Sequence, residues 1–164
     1  DIRIGAGFVC RGILRRETYG SGKIEIGERV YIGDNTIVSC AAGIQIGHHT
    51  LISHNCHIFD NNSHSINAEV RMRHFESLLA AGHTEEAFDV SAAPVSIGAH
   101  CWLGFNVTIM RGVSIGDGCI LASNSVVLRD IPAWSLAGGN PARVIRPLDN
   151  LAEMLKLQAS PSLR

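Results

Sequence analysis

A six-residue spacing of aliphatic residues, often followed by glycine, runs from Ile24 to Ile131 and is interrupted once, between Asn61 and Pro94. The first half reads IEIGER VYIGDN TIVSCA, slips by two residues at Ala42–Gly43, and resumes as IQIGHH TLISHN CHIFDN. After the interruption it returns as VSIGAH CWLGFN VTIMRG VSIGDG CILASN SVVLRD. The aliphatic register positions are Ile26, Ile32, Val38, Ile46, Ile52, Ile58, Ile97, Leu103, Ile109, Ile115, Leu121 and Val127.

This period fits neither an amphipathic helix nor one long strand. A helix needs apolar residues three and four apart, and a Gly with Asn or Asp in every turn would destabilise it strongly. Each short run of alternation instead ends in Gly-Asp, Gly-Asn or Gly-His, which favour turns. Such strand-and-turn units bury their apolar face only by stacking. The sequence therefore predicts an all-β fold, a parallel β-solenoid in which three hexapeptides form a triangular coil of about eighteen residues.

Composition limits the class of protein. The chain has 164 residues, 46% hydrophobic and 18% charged, which is typical of one domain with a continuous core. A formal net charge of -1 without a Lys/Arg run disfavours nucleic acid and acidic membranes as partners. No stretch is apolar enough to cross a bilayer, no signal-peptide pattern opens the chain, and 5 cysteines without a CxxC pair favour buried free thiols. These features predict a cytoplasmic protein without membrane insertion.

The limits of the repeat predict the domain organisation. We expect a β-helix domain over residues 1–147, with a loop inserted at about 61–94, and a C-terminal helix and tail over 148–164. An insertion of this length in a compact domain is typical of a functional or mobile loop. The first residues, DIRIGAGFVC, already have solenoid character, so we expect an N-terminus that is truncated or covered by a partner.

Past the last repeat, helix signals replace strand signals. Pro132 and the Gly138–Pro141 cluster are expected to break the solenoid. The segment LDNLAEMLKL has helical spacing, with Asp149 or Asn150 as a candidate N-cap. Because an open solenoid end exposes unpaired backbone groups, we expect this helix to cover the last coil.

The residues from Pro94 to Pro147 carry a family resemblance. The stretch PVSIGAHCWLGFNVTIMRGVSIGDGCILASNSVVLRDIPAWSLAGGNPARVIRP resembles the C-terminal half of the hexapeptide-repeat acyltransferases, close to the maltose, galactoside and cell-surface polysaccharide O-acetyltransferases. Upstream, IGERVYIGDNTIVSCAAGIQIGHHTLISHNCHIFDNNSHSI resembles the preceding coils of that family. The resemblance implies a left-handed β-helix and a homotrimer that binds acetyl-CoA between neighbouring subunits.

The interruption contains the candidate base. His64, in DNNSHSI, matches the catalytic histidine that the family carries at the base of its protruding loop. Acetyl transfer to a hydroxyl needs a group that removes the acceptor proton, and neutral imidazole has a pKa of about 6.5. Asp60, four residues earlier, is a candidate to orient that imidazole. An Asx turn at Asp60 is the structural alternative, and a backbone carbonyl is another possible orienting group.

Candidate acceptor contacts are less specific. Asn35 stands where sugar-acetylating relatives carry an acceptor-binding asparagine, although GDN is also the ordinary turn of the repeat. Within the loop, Arg71, Arg73 and His74 are candidates to contact a polar or anionic acceptor, with a solvated helix face as the alternative. The resemblance implies a saccharide or small-molecule acceptor, and the sequence does not identify it.

The resemblance also implies a set of cofactor-binding residues. Trp102, whose side chain is expected to point outward, matches the tryptophan that packs beside the thioester arm of CoA. Phe105 and Ser123 lie where main-chain groups of the family approach the pantetheine. Three arginines match basic positions of the family that are suited to phosphates. The bulky Phe105 replaces a residue that is usually small in the family, and it is expected to narrow the CoA channel. The residues are Trp102, Phe105, Ser123, Arg129, Arg143 and Arg146.

Several functions stay open beside O-acetylation by direct attack in a ternary complex. N-acetylation of an amino sugar or an antibiotic differs only in the acceptor. A metal enzyme resembling the γ-class carbonic anhydrases would need outward histidines that converge between subunits, and a non-catalytic β-helix subunit would need neither base nor acetyl-CoA. We expect no metal. The histidines considered for a metal site are His48, His49, His54, His57 and His100.

Overall fold

The computed structural model describes residues 1–82 and 88–148, which form stacked triangular coils. The first two coils contain β1 (Ile2–Ile4), β2 (Val9–Cys10), β3 (Ile13–Arg16), β4 (Ile24–Ile26), β5 (Tyr31–Ile32) and β6 (Ile37–Cys40). The third contains β7 (Ile44–Ile46), β8 (Leu51–Ile52) and β9 (His57–Phe59). After α1 (Ala68–Ala81) come β10 (Val95–Ile97), β11 (Trp102–Leu103), β12 (Thr108–Ile109), β13 (Ser114–Ile115), β14 (Ile120–Leu121), β15 (Val126–Val127), β16 (Ser135–Gly139) and β17 (Ala142–Pro147).

Equivalent strands of successive coils pair in parallel and form three sheets. Sheet A has the order β1-β4-β7-β10-β13, and sheet C the order β15-β12-β9-β6-β3. Sheet B has the order β17-β16-β14-β11-β8-β5-β2, in which only the β16–β17 pair is antiparallel. The chain passes from A to B to C in every coil. The fold is a left-handed parallel β-helix, as expected from the resemblance.

The interior of the prism is filled by the register positions of the repeat. All twelve are buried, and Ile32, Val38, Ile52, Ile58, Leu103, Ile109 and Val127 have no exposed surface. Four cysteines are buried free thiols, as predicted, and Cys10 is an exposed one. The spacing of six therefore predicted the core correctly, because each hexapeptide places one aliphatic side chain at the same place inside its face.

The turns between sheets explain the recurring Gly and Asn residues. A Cβ on Gly47 would lie 2.4 Å from the backbone nitrogen of Ala99 in the next coil, so the close stacking of backbones requires glycine. At the corner between sheets B and C, Asn35, Asn55 and Asn106 have φ near +57°, with values of 58°, 58° and 56°. Asparagine tolerates this left-handed conformation better than other non-glycine residues do.

The loop and the C-terminal end differ in detail from the predictions. Residues 61–94 contain α1, a helix of 14 residues, within the segment that was predicted as a loop. Asn67 caps it by accepting hydrogen bonds from the backbone N–H groups of Glu69 and Val70. Its length and composition exclude it as a bilayer-spanning helix, and no other described helix qualifies.

The solenoid continues past Pro132, because β16 pairs in parallel with β14. The chain then reverses at Asn140–Pro141, and β17 returns antiparallel along β16. The predicted break at Gly138–Pro141 is therefore the turn of a hairpin that ends sheet B. The predicted C-terminal helix lies outside the described residues.

Candidate functional site

The loop leaves the prism at the edge between sheets C and A, where hydrogen bonds join its two ends. The Ala93 N–H donates to the Asp60 carbonyl at 2.8 Å, and the Asn62 N–H donates to the Ser91 carbonyl at 3.0 Å. Ser63 then adopts a left-handed φ of 61°, and the His64 N–H donates back to the Asn62 carbonyl. This tight turn fixes the backbone of His64 just after β9, the last strand of the third coil.

The Asp60 carboxylate is engaged by the backbone rather than by the candidate base. It is fully buried, and it accepts N–H donors from Ala41 at 2.7 Å, Ala42 at 2.8 Å and Gly43 at 2.6 Å. The Asn61 side-chain amide supplies a fourth donor at 3.1 Å. Two carboxylate oxygens can accept about four hydrogen bonds, so these donors fill the acceptor capacity of Asp60. The expected bond from the His64 imidazole to Asp60 is not among the described contacts.

Asn61 connects this carboxylate to the first two coils. It is buried, and its amide nitrogen also donates to the Ser39 carbonyl and hydroxyl at 3.4 Å. Its oxygen accepts from the Tyr19 hydroxyl at 3.2 Å, and the Ser39 hydroxyl donates to Glu17. Burial, with smaller contributions from Glu17 and Asp60, raises the pKa of Tyr19 to about 12. Tyr19 is therefore a neutral hydrogen-bond donor beneath the loop.

His64 is exposed and lies beside an open cavity of about 370 Å³. The walls combine apolar rings with charged groups from the first coil, contributed by Arg15, Arg16, Glu17, Thr18, Tyr19, Phe59, Ser63, His64, His74 and Leu78. The His64 Nδ1 atom lies 3.3 Å from Nδ1 of His74 on α1. A cavity with both charged and apolar walls next to an accessible imidazole suits proton transfer from a hydroxylated ligand.

Residues 15–19 of this cavity were missed by the sequence analysis. They carry no repeat signal, since RRET lies before the aliphatic spacing begins at Ile24, and they precede His64 by more than two coils. The register of β3 on β6, and of β6 on β9, places them under the loop. Counting whole coils back from the interruption would have found them.

Arg71 lines a second cavity beside His64. Its Nη1 donates to the Ser65 carbonyl at 2.9 Å and to the Ile66 carbonyl at 3.2 Å, so it holds the start of α1 against the preceding turn. The same side chain lines an open, mostly apolar cavity of about 380 Å³ with His64, Ala68, Met72 and Phe75. Its predicted contact with an acceptor stays a prediction.

Asn35 lies at a different edge of the prism, between sheets B and C. Its side-chain amide donates to Asn55 at 3.3 Å, and the equivalent pair two coils further, Asn106 and Asn124, is joined at 3.1 Å. These repeated contacts show that Asn35 belongs to the turn structure of the solenoid. Its role in acceptor binding stays a prediction.

Trp102 points away from the core on sheet B, as its phase predicted, and its side chain is 51% exposed. The register of sheet B places it in an outward column of mostly apolar residues, namely Val9, Tyr31, Leu51, Trp102, Ile120 and Leu136. The matching column of sheet A is polar, namely Arg3, Glu25, Gln45, Ser96 and Ser114. Sheet B therefore presents a more apolar outer face than sheet A does.

Phe105 and Ser123 occupy the corner between sheets B and C. Phe105 is 52% exposed and stacks on His54 at 5.7 Å between ring centroids. The Phe105 N–H donates to the Ser123 hydroxyl at 3.0 Å. The serine therefore occupies a main-chain donor that the resemblance places near the pantetheine. Asp34 lies 3.0 Å from His54, and a hydrogen bond from Arg11 lowers the pKa of this carboxyl.

The three predicted phosphate-binding arginines are exposed and lie in two places. Arg143 and Arg146 belong to β17 at the end of sheet B, where each donates to the carbonyl of a neighbouring residue, Ala142 at 2.8 Å and Pro147 at 3.2 Å. Arg129 follows β15, at the edge between sheets C and A. Their guanidinium groups remain accessible to an anionic ligand.

The candidate residues thus lie in three places on the prism, with Asn35, Phe105 and Ser123 at the B–C corner. His64, Arg71 and Arg129 lie at the C–A edge, and Trp102 with Arg143 lies on sheet B, the face opposite that edge. One chain does not bring the candidate base and the candidate CoA-binding tryptophan together.

The histidines considered for a metal site form no metal centre among residues 1–82 and 88–148. His48, His49 and His100 cluster at the A–B edge, with ring centroids 5.1 to 5.4 Å apart. Desolvation, followed by the neighbouring His100 and His48, lowers the pKa of His49. His57 is exposed on sheet C, away from that cluster.

Comparison with known sequences gives one family and several relatives. Residues 94–129 match the family described as the hexapeptide repeat of succinyl-transferase. The chain is 30% identical over 146 residues to WbbJ of Escherichia coli K12, named as a lipopolysaccharide biosynthesis O-acetyl transferase, covering 89% of this chain and 71% of WbbJ. It is 36% identical over 130 residues to a Saccharomyces cerevisiae protein named as an acetyltransferase, covering 79% of this chain and 58% of that protein. It spans only 34% of a Staphylococcus aureus relative named as an acetyltransferase, at 46% identity over 68 residues.

Solved structures have the same fold. A hexapeptide-repeat acetyltransferase of Vibrio cholerae, solved with acetyl-CoA, is 27% identical with a TM-score of 0.57, over 91% of this chain and 69% of that one. AntD, an N-acyltransferase of Bacillus cereus solved with dTDP and 3-hydroxybutyryl-CoA, is 20% identical with a TM-score of 0.73. That match covers 96% of this chain and 78% of AntD, and at this identity it supports the fold alone.

Proposed function

The chain belongs to the hexapeptide-repeat acetyltransferase family, and from this premise we propose that it transfers acetyl from acetyl-CoA to a hydroxyl of a sugar or polysaccharide precursor. His64 is the proposed general base. The observation that carries the proposal is the exposed His64 imidazole beside a cavity of about 370 Å³ with charged and apolar walls, at the base of a loop anchored by a buried hydrogen-bond network. Because acetyl-CoA is a cytoplasmic metabolite, the reaction belongs in the cytoplasm.

The proposed reaction needs one proton shuttle. As the acceptor oxygen attacks the thioester carbonyl carbon, a ring nitrogen of His64 takes the hydroxyl proton. The tetrahedral intermediate then collapses, the carbon–sulfur bond breaks, and the imidazolium returns the proton to the CoA thiolate. Glu17 and Arg15 line the same cavity and can bind acceptor hydroxyls or an acidic group. The transfer is direct, without an acetyl-enzyme intermediate.

The distribution of the candidate residues supports a homotrimer with sites between subunits. Trp102 lies on the apolar outer face of sheet B, while His64 lies at the opposite edge of the same prism. Packing sheet B of one subunit against the C–A edge of the next removes apolar surface from water and brings the two residues to one groove.

In this groove we assign the pantetheine arm to the face that carries Trp102. Phe105 and Ser123 border it at the adjacent corner, and Arg129, Arg143 and Arg146 are the proposed phosphate ligands. Asn35 and Arg71 remain the proposed acceptor contacts, with Asp60 supporting the loop that carries the base.

The decisive experiment measures CoA release. The protein is titrated with acetyl-CoA by calorimetry, and thiol release is then followed with methyl glucoside and methyl galactoside as hydroxyl acceptors and glucosamine as an amine acceptor. With an accepted substrate, His64→Ala should lower kcat by about a hundredfold or more, because a general base contributes that much. His57→Ala is the matched control, since His57 is an exposed histidine on the outer face of β9 and should keep full activity.

Each outcome has a separate meaning. Failure to bind acetyl-CoA at millimolar concentration would remove the transferase proposal. Binding with full activity in His64→Ala would leave a transferase with a different base. Exclusive use of glucosamine, with the acetyl group found on its amine nitrogen, would assign N-acetylation, the alternative that shares the same catalytic groups.

A further inference from the structure

We propose that His74 on α1 is a positioning residue that holds His64 in the Nδ1–H tautomer and leaves the Nε2 atom of His64 as the base. The inference rests on the proposed function and adds a second histidine to its site. It starts from one contact, the 3.3 Å approach of the two Nδ1 atoms.

That contact requires a proton between the two rings. Two unprotonated nitrogens at this distance would direct their lone pairs at each other, and two protonated ones would direct N–H groups at each other. A neutral imidazole carries one N–H donor and one acceptor nitrogen. One of the two Nδ1 atoms is therefore the donor and the other the acceptor, which couples the tautomers of His64 and His74.

The chemistry of transfer selects His64 as the donor. Its Nδ1 faces His74, so only Nε2 is available to take a proton from an acceptor hydroxyl. Nε2 has a free lone pair only when Nδ1 of the same ring carries the hydrogen. In the opposite arrangement His74 donates, His64 is protonated on Nε2, and the base is blocked.

The His74 ring is held in place to perform this role. It stacks on Phe88 with ring centroids 4.4 Å apart and planes within 7°, and it is only partly exposed. Its ring lies 5.0 Å from that of His64 at an angle of 55°. A stacked ring on a helix gives Nδ1 a fixed direction, which a solvated loop side chain would lack.

The arrangement also stabilises the charged intermediate. When Nε2 of His64 takes the acceptor proton, its Nδ1–H still donates to His74, and the bond becomes charge-assisted. The sequence assigned this task to Asp60, whose acceptor capacity is used by Ala41–Gly43 and Asn61.

Nitrogen NMR of the histidine rings tests the tautomer without any acceptor. At about pH 8, above the ordinary pKa of imidazole, His64 of the native chain should be the Nδ1–H tautomer. His74→Phe keeps a ring to stack on Phe88 but removes the acceptor, so His64 should shift toward the Nε2–H form. His74→Asn places an amide oxygen near the position of Nδ1 and should preserve the native tautomer. An Nε2–H form in the native chain, or an unchanged tautomer in His74→Phe, would overturn the proposal.

Kinetics separates this inference from the proposed function. With any acceptor found by CoA release, His74→Phe should lower kcat by about ten- to a hundredfold with KM for acetyl-CoA unchanged, and His74→Asn should recover activity to within about threefold. If His64→Ala is inactive while His74→Phe keeps native kcat, the proposed function stands and the role of His74 is wrong. If His64→Ala is fully active, the base assignment itself fails.

Discussion

At the scale of single residues, Asp60 resolves the phase slip in the repeat. The two extra residues at Ala42–Gly43 leave three consecutive backbone N–H groups turned away from the ladders, and the Asp60 carboxylate binds all three. Buried N–H donors without acceptors would cost about 1 to 3 kcal/mol each, so the slip and the carboxylate stabilise each other.

We therefore expect Asp60→Asn to destabilise the fold. The variant directs an NH₂ group at backbone donors, and the free energy of unfolding should fall by about 2 to 4 kcal/mol in urea titration. Asp117→Asn is the matched control. Asp117 is exposed and accepts one backbone bond, from Ala99 at 2.8 Å, so a loss of about 1 kcal/mol or less is expected. Equal losses for the two variants would contradict the role given to Asp60.

The sequence located His64 but not its partner, for a reason that lies in three dimensions. Asp60 and His64 are four residues apart, a spacing that would bring them together in a helix, yet the chain turns at Ser63 with a left-handed φ of 61°. His74 is ten residues away and reaches His64 only because α1 folds back over the loop base. Motif matching finds a base, and it does not find a contact that depends on the path of an insertion.

At the scale of secondary-structure elements, the strands were predictable and α1 was not. Each strand from β4 to β15 carries its own buried aliphatic residue, whereas α1 buries none of its 14 residues and so shows no apolar stripe. Its stability therefore depends on local signals, above all the Asn67 cap. The hairpin of β16 and β17 was missed for a related reason, because GGNP predicts a turn without indicating whether a strand follows.

Asn67→Ala should loosen α1 without unfolding the β-helix. Loss of an N-cap costs about 1 kcal/mol, and a helix that buries no side chain has little packing to compensate. Hydrogen exchange of the amides in α1 should accelerate about fivefold, while the β-strand amides and Tm stay unchanged. Asn67→Ser keeps an acceptor oxygen and should exchange as the native chain does. A fall in Tm for Asn67→Ala alone would show that the helix supports the prism.

At the scale of the whole molecule, the repeat specifies a prism whose faces differ only on the outside. The inward residues are interchangeable aliphatics, so they determine the fold, while the outward columns make sheet B apolar and sheet A polar. That difference, and the separation of Trp102 from His64, can be predicted from the position of each residue within the six-residue repeat once the order of the sheets is known. Assembly geometry depends on how two such faces meet, and no spacing within one chain encodes it.

Subunit mixing tests the proposed assembly. At low acetyl-CoA concentration, His64→Ala and Trp102→Ala should each be strongly impaired. If every site takes His64 from one subunit and Trp102 from its neighbour, random 1:1 heterotrimers contain both native residues in about a quarter of their sites. Exchanging the two variants in mild denaturant should therefore restore about a quarter of native activity, whereas mixing without exchange should restore none.

Light scattering of the native chain supplies the control, with a mass of three subunits expected. A trimer without restored activity would place the complete site within one subunit, and a monomer that is fully active would exclude the shared site altogether. The mixing result is more discriminating than the mass, because only a groove shared by two chains lets two damaged subunits complement each other.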